Sequence, residues 1–341
     1  MEAGDRGFPS QGRRALMACL QTVDVHHHFL PPRYLAILER RGIREYAGLP
    51  FPPWNPDVSL DLMDRYNIRT VMVSLSCPGV YFGDIRLAGE LARICNEYAA
   101  GLCEEEGHRW GAFATLPLPD VDAALEEIEY ALDILRLDGV ALPASIGNCY
   151  LGDRAFKEVF NELNRRRAVV FIHPSVPPGS DIPELDLPPF LVEFVFDTTR
   201  AVANLLFSGT LERCPRVRFI LAHAGGAVPY LVFRLSLGEF LPGLQDKVPQ
   251  GVLAYLGRLY YDIALSASPA TLRALQWLTD SSQLLFGSDF PFAPEPVTAI
   301  TLAGLKEYEG FDDHDLGAIF MDNAWNLFPR LQKAEGKESI N

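Results

Sequence analysis

Positive charge is scarce in this 341-residue chain, where 30 Lys and Arg stand against 44 Asp and Glu for a net charge of −14. With no basic stripe to replace phosphate counterions, the chain does not read as a nucleic-acid binder. Its longest basic run, Arg165 to Arg167, closes a helical pattern, where it complements the helix dipole. Long apolar runs are also missing. No segment approaches the ~20 residues of a membrane span, and the stretch Ala15 to Leu20 behind Arg13 and Arg14 is too short for a signal sequence. The six cysteines, Cys19, Cys77, Cys95, Cys103, Cys149 and Cys214, show no CxxC or other metal spacing. They read as reduced, mostly buried thiols of a cytoplasmic protein. No solenoid repeat or low-complexity tract is present.

What the chain has is alternation. Short β-rich runs occur at Thr22–His28, Thr70–Leu75, Trp110–Thr115, Gly139–Pro143, Val169–His173, Val217–His223, Leu259–Ile263 and Leu284–Asp289. Between them, segments such as Arg86–Glu106, Val121–Leu135 and Asp153–Arg167 carry apolar residues at helical spacing. Eight strands each followed by a helix predict an α/β fold, a (β/α)8 TIM barrel in one domain over residues 22–330. Residues 1–21 read as a flexible extension and 331–341 as a frayed tail. A doubly wound open sheet usually brings a Gly-rich phosphate turn after its first strand, and here that place holds His26-His27-His28. Two segments exceed the minimal barrel, Gly42–Pro56 and the Pro-rich Pro174–Pro189. Both follow strands, where loops shape the active mouth.

Several strands end on candidate metal ligands. Side chains alternate along a strand, so His26 and His28 share a side about 7 Å apart, and His27 points away as a supporting neighbour. Asp24 is expected on the side of the pair, one layer deeper. His173 ends VVFIHP, His223 precedes Ala-Gly-Gly, and Asp289 lies between Gly-Ser and Phe-Pro. Three imidazoles and a carboxylate suit Zn²⁺, Mn²⁺ or Fe²⁺, and no thiolate is implicated. His108 and His314 sit in a polar turn and an acidic helix start, where surface duty is expected. Asp197, Thr198, Thr199 and Arg200 open a helix after the Pro-rich loop, either as substrate contacts or with Asp197 or a threonine as the cap. Tyr46, Phe51, Trp54, Tyr81, Phe82, Phe290 and Phe292 supply aromatic surface in the loops, with Trp54 and Phe292 favoured as substrate walls because they flank motif positions.

In order along the chain stand D-x-H-x-H-F-x-P at Asp24 to Pro31, W-N-P at Trp54 to Pro56, and L-x-x-M-D at Leu60 to Asp64. They are followed by H-P at His173, A-H-x-G-G around His223, G-S-D-x-P-F at Gly287 to Phe292, and N-A-x-x-L-F at Asn323 to Phe328. Taken together, they resemble the amidohydrolase superfamily and, within it, the aminocarboxymuconate-semialdehyde decarboxylase branch of metal-dependent, non-oxidative decarboxylases. VDVHHHFLPPRYL, GVYFGD and FDTTRAVANLLFSGTLERCP are similar to the fungal 6-methylsalicylate decarboxylases.

The resemblance implies ligation of one divalent ion, Zn²⁺ with Mn²⁺ as the alternative, by His26, His28, His173 and Asp289. It implies that His223 handles the metal-bound water or a proton, making His223 and Asp289 the catalytic pair. Ser59 stands where relatives carry an arginine for a second carboxylate, which counts against an acyclic dicarboxylate and against a hydratase. Arg234 is retained, and in relatives that arginine reaches the neighbouring subunit's site, which implies a homodimer. The expected reaction is decarboxylation of a small aromatic carboxylate, 6-methylsalicylate to m-cresol. A lactonase-type hydrolase with the same ligands is the alternative.

Overall fold

The computed structural model describes residues 20–179 and 185–333. The extension up to residue 19 and the tail from 334 therefore lie outside the described residues. Eight parallel strands run in sequence order round one sheet: β1 (Thr22–His28), β2 (Ile68–Ser74), β3 (Trp110–Thr115), β4 (Gly139–Pro143), β5 (Val169–His173), β6 (Arg218–Leu221), β7 (Tyr260–Asp262) and β8 (Leu284–Leu285). The last strand returns to the first. Val25 N–H donates to Phe286 O at 3.0 Å, Asp289 N–H to His26 O at 2.8 Å, and His27 bridges Phe290 in parallel. The result is a (β/α)8 barrel. Among the described residues, no helix is long and apolar enough to cross a membrane.

Residues inside the barrel form their own apolar cluster. Val25, Met72, Phe113, Phe171 and Leu285 are fully buried there. Phe113 stacks on Phe171 with centroids 5.4 Å apart and meets Phe328 edge-on at 5.7 Å, so the C-terminal segment closes the bottom. Leu331, at 1% exposure in the helix Pro329–Lys333, extends that plug into the segment expected to fray.

The helices form where periodicity and caps agree. α1 (Pro32–Arg40) follows the ligand-bearing end of β1, and α2 (Pro56–Tyr66) starts on the Asn55 side chain, which accepts from Val58 N–H at 3.0 Å. α3 (Ile85–Glu105) is capped by Asp84 and buries Leu87, Leu91 and Ile94 at the spacing that turns one face inward. The helix predicted over Val121–Leu135 is α-helical only to Glu129 (α4, Val121–Glu129) and finishes as a wider π turn, Tyr130–Ile134. α5 (Lys157–Arg166) ends on the basic run, with Arg165 and Arg166 both paired to Glu162.

Candidate metal centre and active site

One face of the barrel gathers the strand ends that the sequence singled out. His26, His28, His173 and Asp289 offer ligand atoms that all lie within 4.8 Å of one another, and all four residues are buried. His26 Nε2 lies 3.0 Å from His28 Nε2 and 3.2 Å from Asp289 Oδ1, and His28 Nε2 is 3.0 Å from the same oxygen.

Each of the three histidines has its outer nitrogen occupied. His26 Nδ1 bonds Asp262 Oδ2 at 2.8 Å, His28 Nδ1 faces Ser74 O at 3.2 Å and Ser74 Oγ at 3.0 Å, and His173 Nδ1 donates to Pro174 O at 2.8 Å. With the Nδ1 atoms engaged outward, the Nε2 atoms of His26 and His28 both turn toward Asp289 Oδ1 and are the nitrogens free to serve as metal ligands. His173 Nε2 and His223 Nε2 are moreover buried without a hydrogen-bond partner. The donor set of imidazoles and one carboxylate fits a first-row divalent ion.

Electrostatics in the bare protein tell the same story. Burial acts to lower the His26 pKa, but the carboxylates of Asp262 and Asp289 outweigh it and hold the imidazole up at about 10. His28 falls through burial and the charge of His26, and His173 falls far below the usual range through burial and its three histidine neighbours. Burial tends to raise Asp289, yet His26, His223 and His28 hold it well below the ordinary carboxylate range. The carboxylates of Asp262 and Asp289 supply the negative charge that would offset a divalent ion held by this cluster.

Backbone conformation aims the groups. Asp289 has φ +61° and His223 φ +55°, a left-handed region that non-glycine residues seldom adopt outside functional sites. After His223, the chain passes so close to its neighbours that a Cβ on Gly225 would sit 2.7 Å from the Tyr261 ring, and one on Gly226 2.2 Å from Val195 O. His223 Nε2 stands 3.5 Å from Asp289 Oδ2. The sequence-predicted ligands and His223 are therefore together.

Three expectations change in detail. Asp24 sits beneath His27, with Oδ2 accepting from His27 Nδ1 at 3.0 Å, instead of beneath His26 and His28. The cause is a bulge: Asp24 pairs Val71 while His27 pairs Val73, so an extra residue reverses the side-chain parity of β1. Asp24 also accepts from Ser288 N–H at 3.0 Å and Ser288 O–H at 2.6 Å, which anchors the turn that carries Asp289.

Trp54 lies in a buried aromatic group with Phe29 and Tyr98, its indole N–H donating to Ser59 Oγ at 2.9 Å. Ser59 in turn donates to His27 Nε2 at 2.8 Å, forming a chain Trp54–Ser59–His27–Asp24. Asp197 falls inside α6 (Glu193–Phe207), and neither it nor a neighbouring threonine caps the helix. It accepts from Ser175 N–H at 2.9 Å and Ser145 O–H at 3.3 Å, which fixes the chain just beyond His173.

Asp262 was not singled out from the sequence. Its Oδ1 accepts from His223 N–H at 3.0 Å and Ala264 N–H at 3.0 Å, while Oδ2 takes His26, so one carboxylate orients a ligand and the neighbouring histidine's backbone. The available signal was a lone acid at the end of LYYDI, the same strand-end signal that marked the ligands.

Two cavities open at the cluster. One, of ≈ 490 Å³, is walled by His173, His223, Asp289, Phe194 and Phe292. Phe292 also meets His28 edge-on with centroids 5.4 Å apart. The other, of ≈ 430 Å³, has Tyr81, Phe82, Leu118, Leu142 and Ile146 in its walls. The two share Tyr46, Ser76, Cys77 and His173. Tyr46 belongs to a hairpin, Glu45–Tyr46 with Leu49–Pro50, and its hydroxyl accepts from Val176 N–H at 2.8 Å, so both inserted loops meet over the site. No lysine or arginine is among the described residues lining either cavity. Arg234 lies away from both, exposed on α7 (Val228–Ser236). His314 is exposed and His108 half-buried in its turn, and neither joins the cluster.

The sequence model of the Amidohydrolase family matches residues 23–330. The chain belongs to the amidohydrolase family. This amidohydrolase is 36% identical over 315 residues to the 6-methylsalicylic acid decarboxylase of Penicillium expansum, covering 91% of this chain and 97% of that one. Among solved structures, an amidohydrolase II superposes with a TM-score of 0.84 at 30% identity, covering 90% of this chain and 99% of that one. The barrel also superposes, with a TM-score of 0.77 at 22% identity over 93% of this chain and 99% of that one, on a dihydroxybenzoic acid decarboxylase from Polaromonas that contains manganese. Within the family, the chain is closely related to the fungal 6-methylsalicylic acid decarboxylases, and it is an enzyme, a metal-binding decarboxylase.

Proposed function

We propose that this decarboxylase of a hydroxybenzoate converts 6-methylsalicylate to m-cresol and CO₂, with His26, His28, His173 and Asp289 holding one divalent ion. The convergence of four buried ligand atoms beside an apolar cavity that His173 and Asp289 line carries the reading. When bound, the ion would supply Lewis acidity that steadies the charge developing on the substrate's oxygens. Zn²⁺ and Mn²⁺ both suit the donor set, and the manganese of the Polaromonas relative makes Mn²⁺ the first to test beside Zn²⁺.

The protein's own groups do the rest. Phe292 and Phe194 flank the ring and exclude water from it. Asp289, which stands ionised, takes up a solvent proton that His223, 3.5 Å from Oδ2, orients or relays, and delivers it to the carboxyl-bearing ring carbon. The carbon–carbon bond to the carboxylate then breaks, and its electron pair restores the aromatic ring as CO₂ leaves. An Asp289→Asn variant that keeps its metal and near-normal turnover contradicts this assignment. Ser59 lies deep in the Trp54–His27 chain, and among the described residues no Lys or Arg lines the cavities, which supports a substrate with a single carboxylate.

The proposal extends to a cytoplasmic homodimer. Tyr230, Phe233 and Phe240 are 86%, 75% and 80% exposed around Arg234, an aromatic surface of the kind that partners cover. In the dimer Arg234 approaches the neighbouring site and the substrate carboxylate there. Turnover in D₂O tests the chemistry: m-cresol carrying one deuterium at the carbon that bore the carboxylate is expected, whereas ring opening of a lactone without CO₂ release favours the hydrolase.

A further inference from the structure

The cavity beside His223 and Asp289 already has the volume of an ordinary ligand pocket, so a ring bearing one methyl group does not need the second. Yet the second, of ≈ 430 Å³, is a formed space that touches the cluster through His173. Its walls combine the GVYFGD segment, through Tyr81 and Phe82, with Leu118, Leu142 and Ile146, and Ile43 stands among its lining residues. Ser145 and Ser175 at its edge are bonded to each other and to Asp197, and the Cys77 thiol donates to Pro174 O, with burial raising its pKa. Among the described residues, no Lys, Arg, Asp or Glu lines the space. It offers mainly apolar surface, with the hydroxyls of Ser76 and Thr115 also in its lining, and it adjoins His173, one of the metal ligands.

We infer that this second lobe receives a ring substituent, and that the enzyme's preferred substrates are 2-hydroxybenzoates with an unbranched alkyl chain at position 6, propyl to pentyl in length. The inference rests on the hydroxybenzoate decarboxylase reading of the site. With the carboxylate and hydroxyl held at the cluster, the remaining ring position next to the carboxyl-bearing carbon stays nearest the ligands. A chain there passes His173 into the lobe, between the walls formed by Tyr46 and Cys77. The methyl group of 6-methylsalicylate reaches only the entrance.

The test uses the metal-loaded enzyme and the decarboxylated products, so that binding is read apart from chemistry. Calorimetric titration with 3-methyl-, 3-propyl- and 3-pentylphenol is expected to show affinity rising roughly 3- to 4-fold per methylene, the value for moving a CH₂ group out of water. Turnover of the matching 6-alkylsalicylates is expected to show kcat/KM rising in the same order. Ile43→Trp, at the half-buried rim, and Ile146→Trp, within the wall, are each expected to flatten the series while leaving 3-methylphenol binding within about twofold. Affinity that is flat or falls with chain length overturns the inference, as does a rise that persists in both variants. A rise that the variants abolish, with no CO₂ released from any of the benzoates, supports the lobe and overturns the decarboxylase reading instead.

Discussion

Replacing Asp262 with asparagine keeps size and shape but inverts one hydrogen bond at the metal centre. Both carboxylate oxygens are acceptors here: Oδ1 for the backbone of His223 and Ala264, each at 3.0 Å, and Oδ2 for His26 Nδ1 at 2.8 Å. An asparagine that preserves the first two must present its NH₂ group to His26. His26 then escapes a clash of hydrogens only by moving its proton to Nε2, the atom 3.0 Å from His28 Nε2 that faces the ion. A ligand becomes a blocked position. The opposite amide orientation instead leaves two buried backbone N–H groups without an acceptor, which costs about 1–3 kcal/mol for each. Supporting carboxylates of this kind are worth 10- to 100-fold in metal affinity, or about 1.4–2.8 kcal/mol. Metal Kd measured by competition with a chromophoric chelator is expected to weaken by that factor in Asp262→Asn, with the fold retained by circular dichroism. Affinity within twofold of wild type refutes the role of Asp262 in fixing the His26 tautomer.

Other consequences are equally specific. Ser59→Ala removes the hydroxyl between Trp54 Nε1 and His27 Nε2, stranding two buried polar atoms, and is expected to cost about 2–4 kcal/mol and lower Tm by about 4–8 °C in calorimetry. Phe233→Asp puts a charge in the exposed aromatic surface and is expected to shift the sedimenting mass to one 37.9 kDa chain, with kcat/KM falling as Arg234 loses the neighbouring site. Glu162 is held down at about 2 by its bonds to Arg165 and then Arg166, against an ordinary value of 4.5. A depressed carboxylate stabilises the fold above pH 4.5 and loses that contribution as pH falls toward 2. Glu162→Gln is therefore expected to cost at most about 1 kcal/mol in urea melts at pH 7, since such pairs are solvent-screened, and to approach no cost near pH 2.

Much of the barrel was legible because parallel strands buried on both faces read as short apolar runs, and the polar residue that ends each one stands out. His173 after VVFI and Asp289 after LLFGS are visible for that reason. The bulge in β1 was not legible, since an extra residue changes parity without changing composition, and it moved Asp24 from the ligand pair to His27. The π turn after Glu129 leaves the apolar spacing close to helical and is likewise invisible to periodicity. Trp54 flanks a motif, yet packing against Phe29 and Tyr98 decides where its ring points, and those contacts come from distant segments. Asp262 carries the same strand-end signal, but a single acid among tyrosines resembles an ordinary strand end.

The most direct test of the account is turnover of 6-methylsalicylate by the purified protein, metal-loaded and then stripped, with m-cresol followed by chromatography. The account predicts m-cresol from the loaded enzyme, none after chelation, and recovery when Mn²⁺ or Zn²⁺ is restored. Metal shown to be bound with no m-cresol formed, or m-cresol formation that survives complete metal removal, contradicts it.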